Sequence, residues 1–388
     1  MNAIVKQRAI LDRRRLLSKI NGLFPQNNYG PAKREELLSL VKESFDNGFF
    51  EIEKRFCSNR EGLDVLKSNS FLVDQVIRVL FEVATTIAYP RGNPSTAEKI
   101  SLVAVGGYGR EELAPYSDVD IMFLHPYKKT PYIEQIVEFL LYFLWDLGLK
   151  VGHSTRSIDD CIRLSKNDLI IETSLLDSRW LWGYQKPYFD LVKVFQETIV
   201  NGNGRRFVEA KLKERNRRHE DLGDVRYVLE PNIKDGKGGL RDLQTLFWIT
   251  KHIYGTSNLS ELTEKGVFLG QDVSRFRKAL EFYATVRCNL HYLARRPEER
   301  ITFDIQKTLG EKMQYRDDPI ASGVENFMKD YFLVAKDVGD LTRTLCALLE
   351  EQQKKKPLFE MLKLSSKTFK QPGLVNDKGR VSIIDQVH

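Results

Sequence analysis

Residues 104–124 read AVGGYGREELAPYSDVDIMFL, and the fold of the chain turns on this stretch. An apolar run, Leu102 to Val105, ends in Gly106 and Gly107. A short polar segment follows, and Ser117-Asp118-Val119-Asp120 then opens a second apolar run, Ile121 to Leu124. Two strands joined through a glycine turn satisfy this pattern. Alternate residues of a strand share a face, so Asp118 and Asp120 present two carboxylates on one side. Mg²⁺ takes oxygen ligands of this kind and keeps its other positions for water and substrate phosphates. Gly106 and Gly107 allow the backbone to approach a phosphate and aim N–H groups at it. Asp-x-Asp alone is common at solvent-facing strand ends, and Gly-Gly alone marks a turn. In this order and spacing they make the plan of a site for nucleotidyl transfer.

Working outward, strand-like runs fall at about 101–105, 119–124 and 150–155, with an amphipathic helix expected over 133–147. Residues 1–90 read as helical, with apolar rows Leu37, Leu38, Val41, Phe45 and Leu72, Val76, Leu80, Val83 at helical spacing. Pro90, Gly92, Asn93, Pro94 and Ser95 form a loop. From 158 to 350 the pattern is helical almost throughout, with breaks at 202–204, at 231–239 and around Pro319. The expected class is α+β, a small mixed sheet embedded in a largely helical chain. The expected divisions are an N-terminal helical region (1–90), a catalytic domain (91–190), a helical domain (191–350) and a tail (351–388) to which no core is assigned.

The 388 residues suffice for two or more cores, since domains run to roughly 100–200 residues. No stretch reaches the roughly 18 apolar residues of a membrane span. The opening MNAIVKQRAILDRRRLLSKI is basic but has no apolar signal core, so export is not expected. Cys57, Cys161, Cys288 and Cys346 are far apart and form no CxxC pair, which suits a cytoplasmic protein. The net charge is +7, and RRFVEAKLKERNRR (205–218) holds seven basic residues against two acidic. That run reads as a solvated helix face, as an electropositive wall for a triphosphate or an acidic protein, or as a contact for nucleic acid. The first reading is preferred, and no RNA-binding signature accompanies the charge.

Gly106-Gly107-Tyr108-Gly109-Arg110, Glu112-Leu113, Pro115 and Ser117-Asp118-Val119-Asp120 together resemble the signature of the bacterial PII uridylyltransferase family. That family lies within the DNA polymerase β-like nucleotidyltransferase superfamily. The resemblance continues through Trp145 to Leu149, Val151 to Ser154 with Arg156, Leu176 to Arg179, Leu229 to Lys234 and Gly238 to Thr245. It resumes at Leu290 to Tyr292, Phe303 to Gln306 and Val324 to Tyr331, and so spans about 70–345. Spacing and resemblance both make Asp118 and Asp120 the metal ligands, with Mg²⁺ the cofactor. Gly106, Gly107 and Ser117 would hold the β- and γ-phosphates. Arg110 is a further phosphate candidate, with an exposed helix arginine as the alternative, and Arg156 is a substrate-binding candidate on the third strand.

A third carboxylate, common in the superfamily, orients or deprotonates the attacking hydroxyl. The third strand, Val151 to Arg156, contains no acid, so Asp177 is the substitute, against a surface salt bridge as its plain reading. His153 is an alternative proton acceptor. A second candidate site is Glu230 to Asp242, where Lys234, Lys237 and Arg241 flank an expected helix start whose amides would bind an anion. An elbow between helical subdomains, with Arg241 and Asp242 in internal ion pairs, explains the same residues equally well.

Glu111 stands where the family usually has glycine, which places a carboxylate beside the phosphate cradle unless it points away. The family's architecture continues into an HD hydrolase domain and two ACT domains. These 388 residues hold six histidines and no His-Asp dipeptide, so uridylyl removal and direct glutamine sensing are not expected of them. The resemblance implies transfer of UMP from UTP to a tyrosine of a PII signalling protein; with no apolar span and no RNA-binding signature, no membrane partner is expected and nucleic acid is disfavoured. Selection of UTP comes from the resemblance alone. The alternatives are a transferase of the same fold with an RNA or small-molecule target, and a non-catalytic nucleotide-binding scaffold.

Overall fold

The computed structural model describes residue 4 and residues 6–25, 29–223, 225–256, 258–353, 374–377 and 380–383. The tail expected over 351–388 lies largely outside these described residues. Within it are the end of the last helix and a pair of antiparallel strands, β5 (Leu374–Asp377) and β6 (Arg380–Ile383).

The N-terminal part is helical: α1 (Gln7–Ile10), α2 (Arg13–Leu23), α3 (Pro31–Asn59) and α4 (Gly62–Val83). The expected apolar rows lie on these helices, with Leu37, Val41, Leu72, Val76, Leu80 and Val83 fully buried. A sheet follows, ordered β3-β2-β1-β4. β1 (Ser101–Ala104) runs antiparallel to β2 (Val119–His125) and to β4 (Arg179–Gly183), while β2 runs parallel to β3 (Val151–Ser157). The short helix α5 (Gly106–Gly109) joins β1 to β2, and α6 (Pro131–Asp146) crosses from β2 to β3. Pro131 at its first position and Thr130, whose hydroxyl accepts from the Ile133 amide, start α6.

Strand alternation divides the sheet between two cores. Leu102, Ala104, Val119, Ile121 and Phe123 face the N-terminal helices and α6. Val103, Met122 and Leu124 face α7 (Ile158–Ser165), α8 (Leu169–Leu176) and α9 (Gln185–Phe195). Asp118 and Asp120 have the parity of Met122 and Leu124 and sit where that face meets solvent.

β4 corrects the expectation of a helical pattern between 158 and the break at 202–204. Arg179-Trp180-Leu181-Trp182-Gly183 is rich in aromatic residues suited to a pleated surface, and it pairs with the open edge of β1. Its five residues are too few to show a period against the helices on either side.

The rest of the described chain is helical: α10 (Gly204–Asp221), α11 (Leu240–Tyr254), α12 (Leu259–Glu264), α13 (Gly270–Ala294), α14 (Phe303–Lys312) and α15 (Gly323–Gln353). These elements bury a core of their own. α13 belongs to both cores. Its Ala284, Cys288 and Tyr292 pack with the N-terminal helices, and its Tyr283, Val286 and Leu290 pack with the helical body. Side chains four residues apart share a helix face, so one helix ties the two halves together along two stripes.

Candidate active site

The glycine stretch, the aspartates and the 230–242 segment converge on one cleft of about 1000 Å³. One wall is Gly106, Gly107, Ser117, Asp118 and Asp120 with Gly152 and Arg156 of β3. The opposite wall is Lys211 and Arg217 of α10, Lys234, and Arg241 and Trp248 of α11.

Gly106 adopts φ +59, a left-handed conformation that glycine enters without a Cβ clash. The amides of a first helical turn have no intrahelical acceptor, and Gly106 and Gly107 open α5 at the cleft wall. Arg179 and Asp74 hold this turn from behind. The buried Tyr108 hydroxyl donates to Asp74 at 2.7 Å, and Arg179 spans Asp74 at 2.7 and 3.0 Å while donating to the Tyr108 and Gly109 carbonyls.

Asp118 is exposed and Asp120 is half-buried, and neither side chain has a hydrogen-bond or ion-pair partner among the described residues. Burial first, then the Asp118 charge, push the Asp120 carboxyl above its usual range, while Lys234 opposes the shift. Uncompensated paired carboxylates facing a cleft suit a divalent cation. Among the described residues no group of three or more His, Cys, Asp or Glu side chains could hold a metal ion. A cation held by Asp118 and Asp120 alone would retain positions for water and phosphate, which fits Mg²⁺. Glycine at 152 makes room for this. A Cβ there would lie 2.3 Å from Asp120 Oδ1, and one at Gly106 3.2 Å from Oδ2. Gly152→Ala is therefore expected to displace the Asp120 carboxylate and lower turnover by roughly 10–100-fold. Chemical denaturation should show stability within about 1 kcal/mol of wild type, because only the end of a side chain must move.

Asp177 lines the cleft, but it is buried, not a helix-surface residue. Its Oδ2 accepts from Arg110 and from Trp248 Nε1 at 2.9 Å. Arg110 is likewise buried, not an exposed helix arginine, and also donates to Glu112 at 2.8 Å. Burial works against its charge, but Asp177 and Glu112 outweigh that and hold the guanidinium above its usual range. Glu112 in turn accepts from Gln244 of α11 at 3.1 Å. His153 is exposed on the cleft, edge-on to Trp145 at 6.2 Å.

The 230–242 segment combines both of its readings, with one correction. The helix-start amides are not an anion site, because Leu240 and Arg241 N–H donate to the Ile233 and Lys234 carbonyls at 2.9 and 2.8 Å. Asp242 is the buried elbow. It accepts from Gly238 N–H at 2.8 Å and pairs with Arg218 at 2.5 Å, His219 at 2.9 Å and Arg215 at 3.5 Å. Burial would raise its carboxyl, yet His219 and the two arginines hold it well below the usual range. The Lys234 and Arg241 side chains face the cleft, whereas Lys237 is not among the lining residues. Arg241 lies 3.6 Å from Asp235 and donates to Gln244 at 3.1 Å. Lys234 and Arg156 have no ion-pair partner among the described residues. Burial, then the neighbouring Arg287 charge, lower the Lys234 pKa.

The basic run at 205–218 is not simply a solvated face. Lys211 and Arg215 are buried, and Lys211, Arg217 and Arg218 line the cleft. Lys211 lies 4.3 Å from the centroid of the Trp248 ring. Glu111 points away from the cleft. It is exposed, 3.9 Å from Arg179, and its φ of 61 explains why glycine suits this position.

Residues 206–346, the stretch that builds the second wall, match the family profile described as GlnD PII-uridylyltransferase. Over 382 residues, 98% of the chain, the sequence is 48% identical to the bifunctional uridylyltransferase/uridylyl-removing enzyme of Azospirillum brasilense. It is 49% identical over 381 residues to the enzyme so named in Rhodospirillum rubrum, and 45% identical over 350 residues to that of Erythrobacter litoralis. The chain belongs to this uridylyltransferase/uridylyl-removing enzyme family. It spans about two fifths of the length of these curated relatives, 41% of the first two and 38% of the third.

Within this uridylyltransferase-family chain, the residues missed in the sequence are those that support the site. Asp74, Trp248, Arg287 and Glu299 stand far from the glycine-aspartate stretch, and no local spacing connects them to it. The one available signal was Arg179, which lies within the Leu176 to Arg179 stretch of the resemblance.

Proposed function

We propose that the cleft transfers UMP from UTP to a tyrosine hydroxyl of a PII signalling protein in a Mg²⁺-dependent reaction, releasing pyrophosphate. The observation that carries this reading is the meeting of Asp118 and Asp120 with the glycine turn on one wall and Lys234 on the other, all three without an ion-pair partner among the described residues. The names of the relatives support the donor and the reaction class.

In this reading Asp118 and Asp120 hold the cation, which when bound neutralises phosphate charge and polarises the α-phosphate. The turn at Gly106 and Gly107, together with Ser117, receives the β- and γ-phosphates through N–H and O–H donors. Lys234 and Arg156 add positive charge where negative charge accumulates on the leaving pyrophosphate. Asp177 serves as a positioning residue: Arg110 and Trp248 hold its Oδ2, and its buried Oδ1 has no hydrogen-bond partner among the described residues. No residue of the cleft identifies uracil by itself, so the donor is assigned from the relatives' names.

The test is incubation with Mg²⁺, labelled UTP or ATP, and a PII protein, scored by label on the PII band. UMP transfer is the expected result. Transfer of AMP alone would overturn the donor, and no label from either nucleotide would overturn the target.

A further inference from the structure

The segment Pro115-Tyr116-Ser117 leads the chain from the glycine turn to Asp118, and its backbone is not relaxed. Tyr116 has φ 60, a left-handed conformation that costs a bulky residue roughly 1–2 kcal/mol and persists only where surroundings impose it. Those surroundings come from one face of α13 and the residue just beyond its end. His291, fully buried, donates from Nδ1 to the Pro115 carbonyl, which can only accept. One turn earlier, Arg287 donates to Ser117 Oγ at 3.4 Å. One turn later, Arg295 donates to the Tyr116 hydroxyl at 3.3 Å. Residues 287 and 291 are spaced by four on one side of α13, and Arg295 is its left-handed C-cap, so two helical turns and the cap each hold one of three successive loop residues.

Glu299 braces this grip. It accepts from Arg287 at 2.6 Å and lies 3.6 Å from His291 Nε2. Burial would raise its carboxyl, but His291 and Arg287 outweigh that and hold it down at about 2. Arg287 and Glu299 both line the cleft, so the brace extends from the core to the site.

We propose that α13 is the positioning element of the metal-binding turn, with His291 and Arg287 fixing the strained 115–117 segment so that Asp118 stands beside Asp120. The proposal rests on the reading of Asp118 and Asp120 as metal ligands. Its consequence is that the helical body supplies an outer layer of the site.

The test is Mn²⁺ binding to the full chain, followed by electron paramagnetic resonance, alongside thermal denaturation. His291→Leu removes the donor to Pro115, and Arg287→Met removes the hold on Ser117 without emptying core volume. Each is expected to weaken Mn²⁺ binding by about 10–100-fold in folded protein, the range for residues that orient metal ligands. His291→Asn keeps a donor near the Nδ1 position and should bind within about threefold of wild type. Unchanged Mn²⁺ affinity in folded Arg287→Met or His291→Leu would overturn the proposal, whatever their melting temperatures. Asp118→Asn separates the two readings. If wild type and Asp118→Asn bind Mn²⁺ equally, the metal assignment itself fails and this proposal falls with it.

Discussion

Asp120→Asn is expected to give a folded chain whose nucleotidyl transfer has fallen by at least about a thousandfold, ~4 kcal/mol of transition-state stabilisation. The amide fills the space between Gly106 and Gly152 that the carboxylate occupies, so packing is preserved. It supplies no anionic oxygen for a divalent cation. Asp120 is also desolvated and repelled by Asp118, which is why its pKa is raised. Neutralising it removes an unfavourable charge from the fold, so the melting temperature should hold or rise. Transfer assays and thermal denaturation on the same preparation decide the matter. Loss of activity together with a large fall in melting temperature would make Asp120 a structural residue, and undiminished turnover would remove the catalytic assignment.

Gly62→Ala is expected to destabilise the protein by about 3 kcal/mol or more. A Cβ at this position would lie 2.2 Å from Thr285 N and 2.4 Å from Ala284 C. Both are backbone atoms of α13, so no side-chain rotation relieves the overlap. The start of α4 is also tied there by the Gly62 N–H, which donates to Thr285 Oγ1 at 3.1 Å. Separating α4 from α13 would loosen the helix that joins the two cores and carries Arg287 and His291. Urea denaturation should show the midpoint falling, and the remaining folded protein should lose activity too. A midpoint within error of wild type would mean that the α4–α13 contact contributes little.

The legible part of this protein is the part set by neighbours in sequence. The strands β1 and β2 follow from short apolar runs and the helix α6 from apolar residues at helical spacing, because burial selects those residues locally. The shared face of Asp118 and Asp120 follows from the pleat. The turn at Gly106 and Gly107 was legible as a glycine turn, and its left-handed φ at Gly106 came from the structure. β4 escaped because its five residues take strand conformation from the edge of β1 rather than from a pattern of their own.

What only the tertiary structure decided is which charges remain free. Asp177, Arg110 and Asp242 carry the same side chains as a catalytic acid or a phosphate ligand, yet partners distant in sequence hold them, at Asp177 through Oδ2 alone. Lys234 and Arg156 look no different in sequence, and they face the cleft without an ion-pair partner among the described residues. The sequence by itself determined the strand-turn-strand unit and its two carboxylates, since backbone geometry acts over a few residues. The fate of each charge depends on side chains brought together from across the chain, where burial fixes the cost of leaving a charge unpaired and packing fixes which partner is within reach.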